Sequence, residues 1–179
     1  PRLLTPGPTP LPERVRLALA QDMIHHRKPG FKKILLETET MLQKLFGTEQ
    51  PVLPLSCSGT GAMTAAVHGL FLPGETVIVV NGGKFGERWS KIAAVRGLKV
   101  VEIDVAWGQA VTPAQVEQAL REHPEAKGVF MQVCETSTAA QHPVEAIARL
   151  TRTRAVLLVA DGISAVGISP CPMDAWGID

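Results

Sequence analysis

Thr76-Val77-Ile78-Val79-Val80-Asn81 runs into Gly82-Gly83-Lys84-Phe85-Gly86, then into a helical pattern over 85–96. Gly97 stops that pattern, and Lys99-Val100-Val101-Glu102-Ile103-Asp104 follows. This stretch decides the fold. Successive side chains of a strand point to opposite faces, so the apolar run Val77-Ile78-Val79-Val80 must be buried on both. Two such strands separated by an amphipathic helix and a glycine stop form the unit from which parallel sheets are built.

The same alternation extends outward along the chain. Residues 128–133 and 155–160 read as further strands, and Val156-Leu157-Leu158-Val159 is again apolar on both faces. Thr112-Pro113-Ala114-Gln115 is a helix start, with a threonine cap, proline at the first position and glutamine where a capping box needs it. Residues 144–152 read as another helix. Toward the N-terminus, 52–56 reads as a strand and 61–70 as a helix closed by Pro73-Gly74. Before these, Phe31, Ile34, Leu35, Thr38, Met41, Leu42 and Leu45 share one helical face up to Gly47. Residues 13–20 form a weaker helical stretch, and the proline-rich 6–12 is irregular. Strands and helices of these lengths predict an α/β fold with helices on both sides of the sheet.

The totals narrow the function classes. The 179 residues suffice for one well-buried domain, and a formal net charge of +1 with scattered Arg and Lys gives no nucleic-acid or anionic-membrane footprint. No apolar run approaches a membrane span. The three cysteines (Cys57, Cys134, Cys171) have no metal-like spacing, so a reducing, cytoplasmic setting is expected.

In an open parallel sheet, ligands bind beyond the carboxyl ends of the strands. The unusual residues stand at those junctions. Ser58-Gly59-Thr60-Gly61-Ala62 leads into a helix, where small residues and free N–H groups suit a phosphate; a plain turn and cap fits as well. Neither the dinucleotide glycine fingerprint nor the P-loop signature is met there. Phe85 stands between glycines, placed either to cover a flat heterocycle or to pack inward with Trp89 and Ile92. Lys84 is either a phosphate contact or a solvated surface residue. Cys134-Glu135-Thr136-Ser137-Thr138 sets hydroxyls at the next junction, available to a cofactor or to turn duties. Asp161 follows Leu157-Leu158-Val159-Ala160, where a carboxylate is poorly solvated unless a cation or donors meet it. A protonated pyridine nitrogen would serve, as would a capping role.

These segments, in this order, resemble the class V (fold type I) pyridoxal 5'-phosphate (PLP) aminotransferases, in particular the alanine–glyoxylate and serine–pyruvate group. The matching stretches are Leu4-Thr5-Pro6-Gly7-Pro8-Thr9, His26-Arg27, Ser58-Gly59-Thr60-Gly61-Ala62, Asn81-Gly82-Gly83-Lys84-Phe85-Gly86, Glu135-Thr136-Ser137-Thr138, and Asp161 onward to Gly177-Ile178-Asp179. The resemblance implies a three-layer sandwich with a mainly parallel sheet, the large PLP-binding domain, over 21–179, after a substrate-side or interface segment over 1–20. It implies that Thr60, Gly61 and Ala62 hold the cofactor phosphate and that Phe85 stacks on its ring. Thr136 would hydrogen-bond near the cofactor, Asp161 would pair with the ring nitrogen, and Ile163 would support the other face. Gly7 would line the substrate pocket, and His26 and Arg27 would lie near the active-site or subunit interface.

Implied substrates are a small amino acid (serine or alanine) and a 2-oxo acid (glyoxylate or pyruvate), handled by a homodimer. Two departures stand out. Ala139 occupies a usual glycine position. The family's cofactor-carrying lysine is expected shortly beyond Asp179, with the small domain after it, so the chain reads as an N-terminal half. A class V lyase or cysteine desulfurase, which commonly places histidine where Phe85 stands, and an inactive binding domain are the alternatives.

Overall fold

The apolar run that decides the fold is a central strand. In the computed structural model, which describes residues 3–179, the strands are β1 (Thr76–Asn81), β2 (Lys99–Asp104), β3 (Gly128–Gln132), β4 (Cys134–Glu135), β5 (Ala140–Gln141) and β6 (Leu157–Asp161). The helices are α1 (Glu13–Leu19), α2 (Pro29–Phe46), α3 (Gly59–Leu70), α4 (Lys84–Arg96), α5 (Pro113–Glu122), α6 (Val144–Arg152) and α7 (Met173–Trp176). Strands β2, β1, β3 and β6 form one sheet in that order, every pairing parallel. Strands β4 and β5 make a small antiparallel ribbon.

The α/β expectation is met, with one core on each face of the sheet. Ile78, Val80, Val129 and Met131 face Val116 and Leu120 of α5 and Ile147 of α6. Val77, Val79, Phe130 and Val159 face Met63 and Val67 of α3 and Trp89 and Ala93 of α4. Phe130 is the hub of the second core, edge-on to Phe71 at 5.0 Å and tilted against Trp89 at 5.2 Å. Each such apolar side chain, fully buried, stabilises the fold by about 1.5–3 kcal/mol. The α5 capping box forms as expected: Thr112 Oγ accepts from the Gln115 N–H at 3.3 Å, and Gln115 Oε1 accepts from the Thr112 N–H at 2.9 Å.

The expected strand over 52–56 does not form; the segment is irregular and mostly exposed. Pro51 and Pro54 each lack a donor, and a proline inside the run breaks any ladder. Strand β6 begins at Leu157, not at 155, because Ala155 takes a left-handed backbone (φ 52°). Asp161 pairs with Gln132 of β3 and so is the last residue of the strand, not the first beyond it.

The chain divides into two compact units, Pro1–Met41 and Leu42–Asp179. In the first, α1 buries no residue, and Met23 and Leu4 are almost fully exposed. None of the residues of α2, which crosses the boundary between the units, is buried either, and Ile34, Leu35, Met41 and Leu45 of its apolar face are exposed.

His142 is buried within the second unit, its Nδ1 accepting from the Val111 N–H at 3.1 Å, and its Nε2 has no partner among the described residues. Burial lowers its proton affinity, and the Glu135 charge only partly opposes that. The unfolded chain therefore binds more protons than the folded one just below the ordinary histidine value of about 6.5. Stability is full above that value and is lost as pH falls toward the depressed folded value. Denaturant midpoints at pH 7.5 and 5.5 are expected to fall with acid, and His142→Asn is expected to flatten that difference.

Candidate cofactor site

A parallel sheet brings all its carboxyl ends to one edge, here Asn81, Asp104, Gln132 and Asp161. The segments leaving that edge carry most of the residues singled out in the sequence.

Thr60 lies in the first turn of α3. Ser58 caps this helix, its Oγ accepting from the Gly61 N–H at 3.3 Å and its carbonyl from the Ala62 N–H at 3.1 Å. The N–H groups of Gly59 and Thr60 precede these bonds and stand at the open end of the helix, where an anion is favoured. Thr60 Oγ1 accepts from Arg88 Nη1 at 3.0 Å.

Phe85 lies in the first turn of α4, whose cap residue Gly83 has no side chain to satisfy the helix start. The acceptor comes from across the sheet edge. Glu135 Oε2 takes the N–H groups of Phe85 at 3.2 Å and Gly86 at 3.0 Å. Its Oε1 takes the Ser137 N–H at 3.1 Å and the Ser137 hydroxyl at 2.6 Å. Glu135 is completely buried. The approach is so close that a Cβ on Gly83 would lie 2.5 Å from Ser137 Oγ and 2.6 Å from the Glu135 carboxyl carbon. A Cβ on Gly86 would meet the Val80 carbonyl oxygen at 2.6 Å. Those glycines let helix, strand and carboxylate share one place. Phe85 itself is half-buried, with the Arg88 guanidinium 4.6 Å from its ring centroid.

Thr136 Oγ1 and Ser164 Oγ are hydrogen-bonded to each other at 2.5 Å, tying the ribbon to the loop after β6. Ala139, at the family's glycine position, has a left-handed backbone (φ 58°), which a glycine adopts without strain. Asp161 Oδ1 accepts from the Ile163 N–H at 3.0 Å. Burial raises its proton affinity, the Ile163 N–H opposes this, the Glu135 charge adds to it, and Arg88 weakly opposes it. No salt bridge reaches Asp161 among the described residues. Beside it lies a cavity of about 400 Å³ with largely apolar walls, including Ala62, Met63, Trp89, Asp161 and Ile163. Ile163 is 72% exposed. Thr60, Phe85 and Thr136 are not among the walls of that cavity.

One continuous set of contacts thus joins Thr60 to Arg88, Arg88 to Phe85, Phe85 to Glu135, and Thr136 to Ser164. Asp161 and Ile163 sit at the neighbouring strand end, Asp161 in register with Gln132 of β3. Gly7 falls in the other unit, in an exposed irregular segment with nothing within 4 Å of where its Cβ would be. In that unit, too, the Arg27 N–H donates to His25 Nδ1 at 3.1 Å, and the His25 and His26 rings stack. Lys84 is exposed and pairs with Glu87 at 3.3 Å. Three residues of the edge escaped the sequence reading: Glu135, Arg88 and Gln132, whose amide atoms are buried with no partner among the described residues. Glu135 stands within a singled-out segment and Arg88 in the helical pattern that follows one, but nothing local marks what they touch.

The class V aminotransferase family model matches residues 6–179. The soluble hydrogenase small subunit of a Synechococcus strain is 36% identical over 180 residues, covering 99% of this chain and 47% of that protein. The crystal structure of a subgroup IV aspartate aminotransferase from Thermus thermophilus superposes with a TM-score of 0.93 at 35% identity, covering 100% of this chain and 51% of that one. The alanine–glyoxylate aminotransferase of Nostoc sp. gives a TM-score of 0.95 at 31% identity, over 98% of this chain and 47% of that one. The chain therefore spans about half the length of the relatives it matches. By the extent of this match and the closeness of the folds, the chain belongs to the class V aminotransferases, a family of PLP-dependent enzymes.

Proposed function

We propose that the chain is the cofactor-binding half of an enzyme that moves an amino group between a small amino acid, serine or alanine, and a 2-oxo acid, glyoxylate or pyruvate. The observation that carries this reading is Asp161: a half-buried carboxylate of raised proton affinity, with no salt-bridge partner among the described residues, at the same sheet edge as an anion-attracting helix start. The donor set fits a phosphorylated pyridine. N–H groups, a hydroxyl and a guanidinium suit the phosphate, an aromatic ring suits the heterocycle, and the lone carboxylate suits a ring N–H⁺.

In this reading the α3 start over Thr60, Gly61 and Ala62 binds the phosphate through the free N–H groups of Gly59 and Thr60 and the Thr60 hydroxyl, the Gly61 and Ala62 N–H groups being held by Ser58. Phe85 covers one face of the ring and Ile163 supports the other. Thr136 hydrogen-bonds beside the ring, with Ser164 orienting its hydroxyl. Asp161 holds the proton on the ring nitrogen, which a buried carboxylate does strongly because the pair is poorly screened. When bound, PLP withdraws electrons from the substrate's α-carbon. In this reading a lysine of the full-length enzyme would carry the cofactor and move the α-proton, and Gly7 would line the substrate pocket. The exposed apolar residues of α1 and α2 support association with a second copy, as a homodimer. Phe85 favours transfer over the lyase and desulfurase reading.

The test is the full-length protein loaded with PLP and given serine or alanine with glyoxylate or pyruvate. New glycine or alanine is expected in proportion to the 2-oxo acid produced. Release of sulfide from cysteine with no amino transfer would overturn the assignment.

A further inference from the structure

We infer that Arg88 is a positioning residue that makes this site select a phosphorylated ligand, by turning the Thr60 hydroxyl into an outward donor and by holding positive charge at the start of α3. The inference rests on the cofactor reading above and deepens it.

A threonine hydroxyl has one proton to give and two lone pairs to receive, whereas a guanidinium only donates. The 3.0 Å contact from Arg88 Nη1 to Thr60 Oγ1 therefore fixes the threonine as acceptor on that side. Its own proton must point elsewhere. Thr60 is the second residue of α3, so no carbonyl of that helix lies one turn behind it to take the proton. Thr64, one turn on, has such a carbonyl and donates to that of Thr60 at 2.9 Å. With Arg88 in place, the Thr60 hydroxyl proton joins the Gly59 and Thr60 N–H groups as a donor at the helix start.

The charge pattern of α4 points the same way. Lys84 and Lys91 both pair with Glu87, at 3.3 Å and 2.7 Å. Arg88, on the same turn, forms no salt bridge among the described residues and is half-buried, held over the Phe85 ring at 4.6 Å. A partly desolvated guanidinium beside a helix N-terminus concentrates positive charge that a dianionic phosphate neutralises and an uncharged group does not. Because Arg88 touches both Thr60 and Phe85, it also sets the spacing between the phosphate end and the ring end of the site.

The experiment compares dissociation constants of PLP and of pyridoxal, which lacks the phosphate, for the full-length protein and its variants, by quenching of tryptophan fluorescence. Arg88→Gln is expected to weaken PLP by about 10-fold or more and pyridoxal by less than about 2-fold. Arg88→Lys keeps the charge and the stem but loses the planar fork, so its loss should fall between. Thr60→Val should weaken PLP in the wild-type background and add little to Arg88→Gln, since the two act as one unit. Equal weakening of both ligands would reduce Arg88 to a structural role and overturn the inference, as would unchanged PLP affinity in both Arg88 variants. If Arg88→Gln does not fold, Arg88→Lys decides by the same ratio. A wild-type protein that binds no PLP would remove the cofactor reading itself, whereas wild-type binding with an unaltered ratio in the variants removes only the role of Arg88.

Discussion

Asp161→Asn in the full-length protein is expected to lower turnover by two to four orders of magnitude while leaving the fold intact. Removing one partner of a buried charged pair costs about 3–5 kcal/mol, and every 1.36 kcal/mol is about tenfold in rate. A second readout runs in the opposite direction. Burial raises the Asp161 proton affinity above its unfolded value, so the folded chain binds more protons in the window between the two. Stability accordingly falls as pH rises through that window, and above it the charged carboxylate weighs fully against the cofactor-free fold. Asparagine removes that cost. The cofactor-free variant should melt no lower than the wild type at pH 8, while its PLP affinity and turnover collapse. Retained transamination in Asp161→Asn would end the ring-nitrogen assignment.

Glu135→Ala is expected to be the most destabilising single change at the site, at about 3–5 kcal/mol. It removes a fully buried acceptor from the N–H groups of Phe85, Gly86 and Ser137 and from the Ser137 hydroxyl, and the Gly86 N–H is itself buried. For a chain of this size each kcal/mol shifts the melting temperature by about 2–4 °C, so a fall of roughly 6–20 °C is expected. Glu135→Gln should do less damage yet not be silent. An amide offers one oxygen and one NH₂ group, so whichever way it turns, at least one backbone N–H meets another donor. Because Glu135 also anchors the first turn of α4, both variants should weaken PLP binding through Phe85. Thermal melts and cofactor titrations on the same preparations check both parts. A Glu135→Ala protein as stable as the wild type would show that the caps of α4 and the ribbon are dispensable.

The strand β1, the helix α4 with its glycine stop, and the capping box of α5 were legible because each depends on neighbours within a few residues. Strand 52–56 was misread for the converse reason. Its apolar residues suit a strand, but a strand exists only when another lies beside it, and the prolines deny it one. The ribbon of β4 and β5, two residues on each side, is too short to leave an alternating pattern. Phe85, Thr136 and Asp161 stand at junctions that the periodicity itself marks, whereas Thr60 starts a helix after a segment that forms no strand. Glu135 and Arg88 stood in view as ordinary charged residues.

What the sequence determined alone was therefore the alternation of the main strands and helices, the two-sided burial of the sheet and the residues at its carboxyl edge, since backbone propensity and side-chain periodicity are short-range. Only the tertiary structure decided the partners. Glu135 reaches the start of α4 across 49 and 50 residues of chain, and Arg88 reaches Thr60 across 28. A hydrogen bond depends on a distance of about 3 Å in space. No rule confined to neighbouring residues contains that distance until the sheet has formed and brought its strand ends side by side.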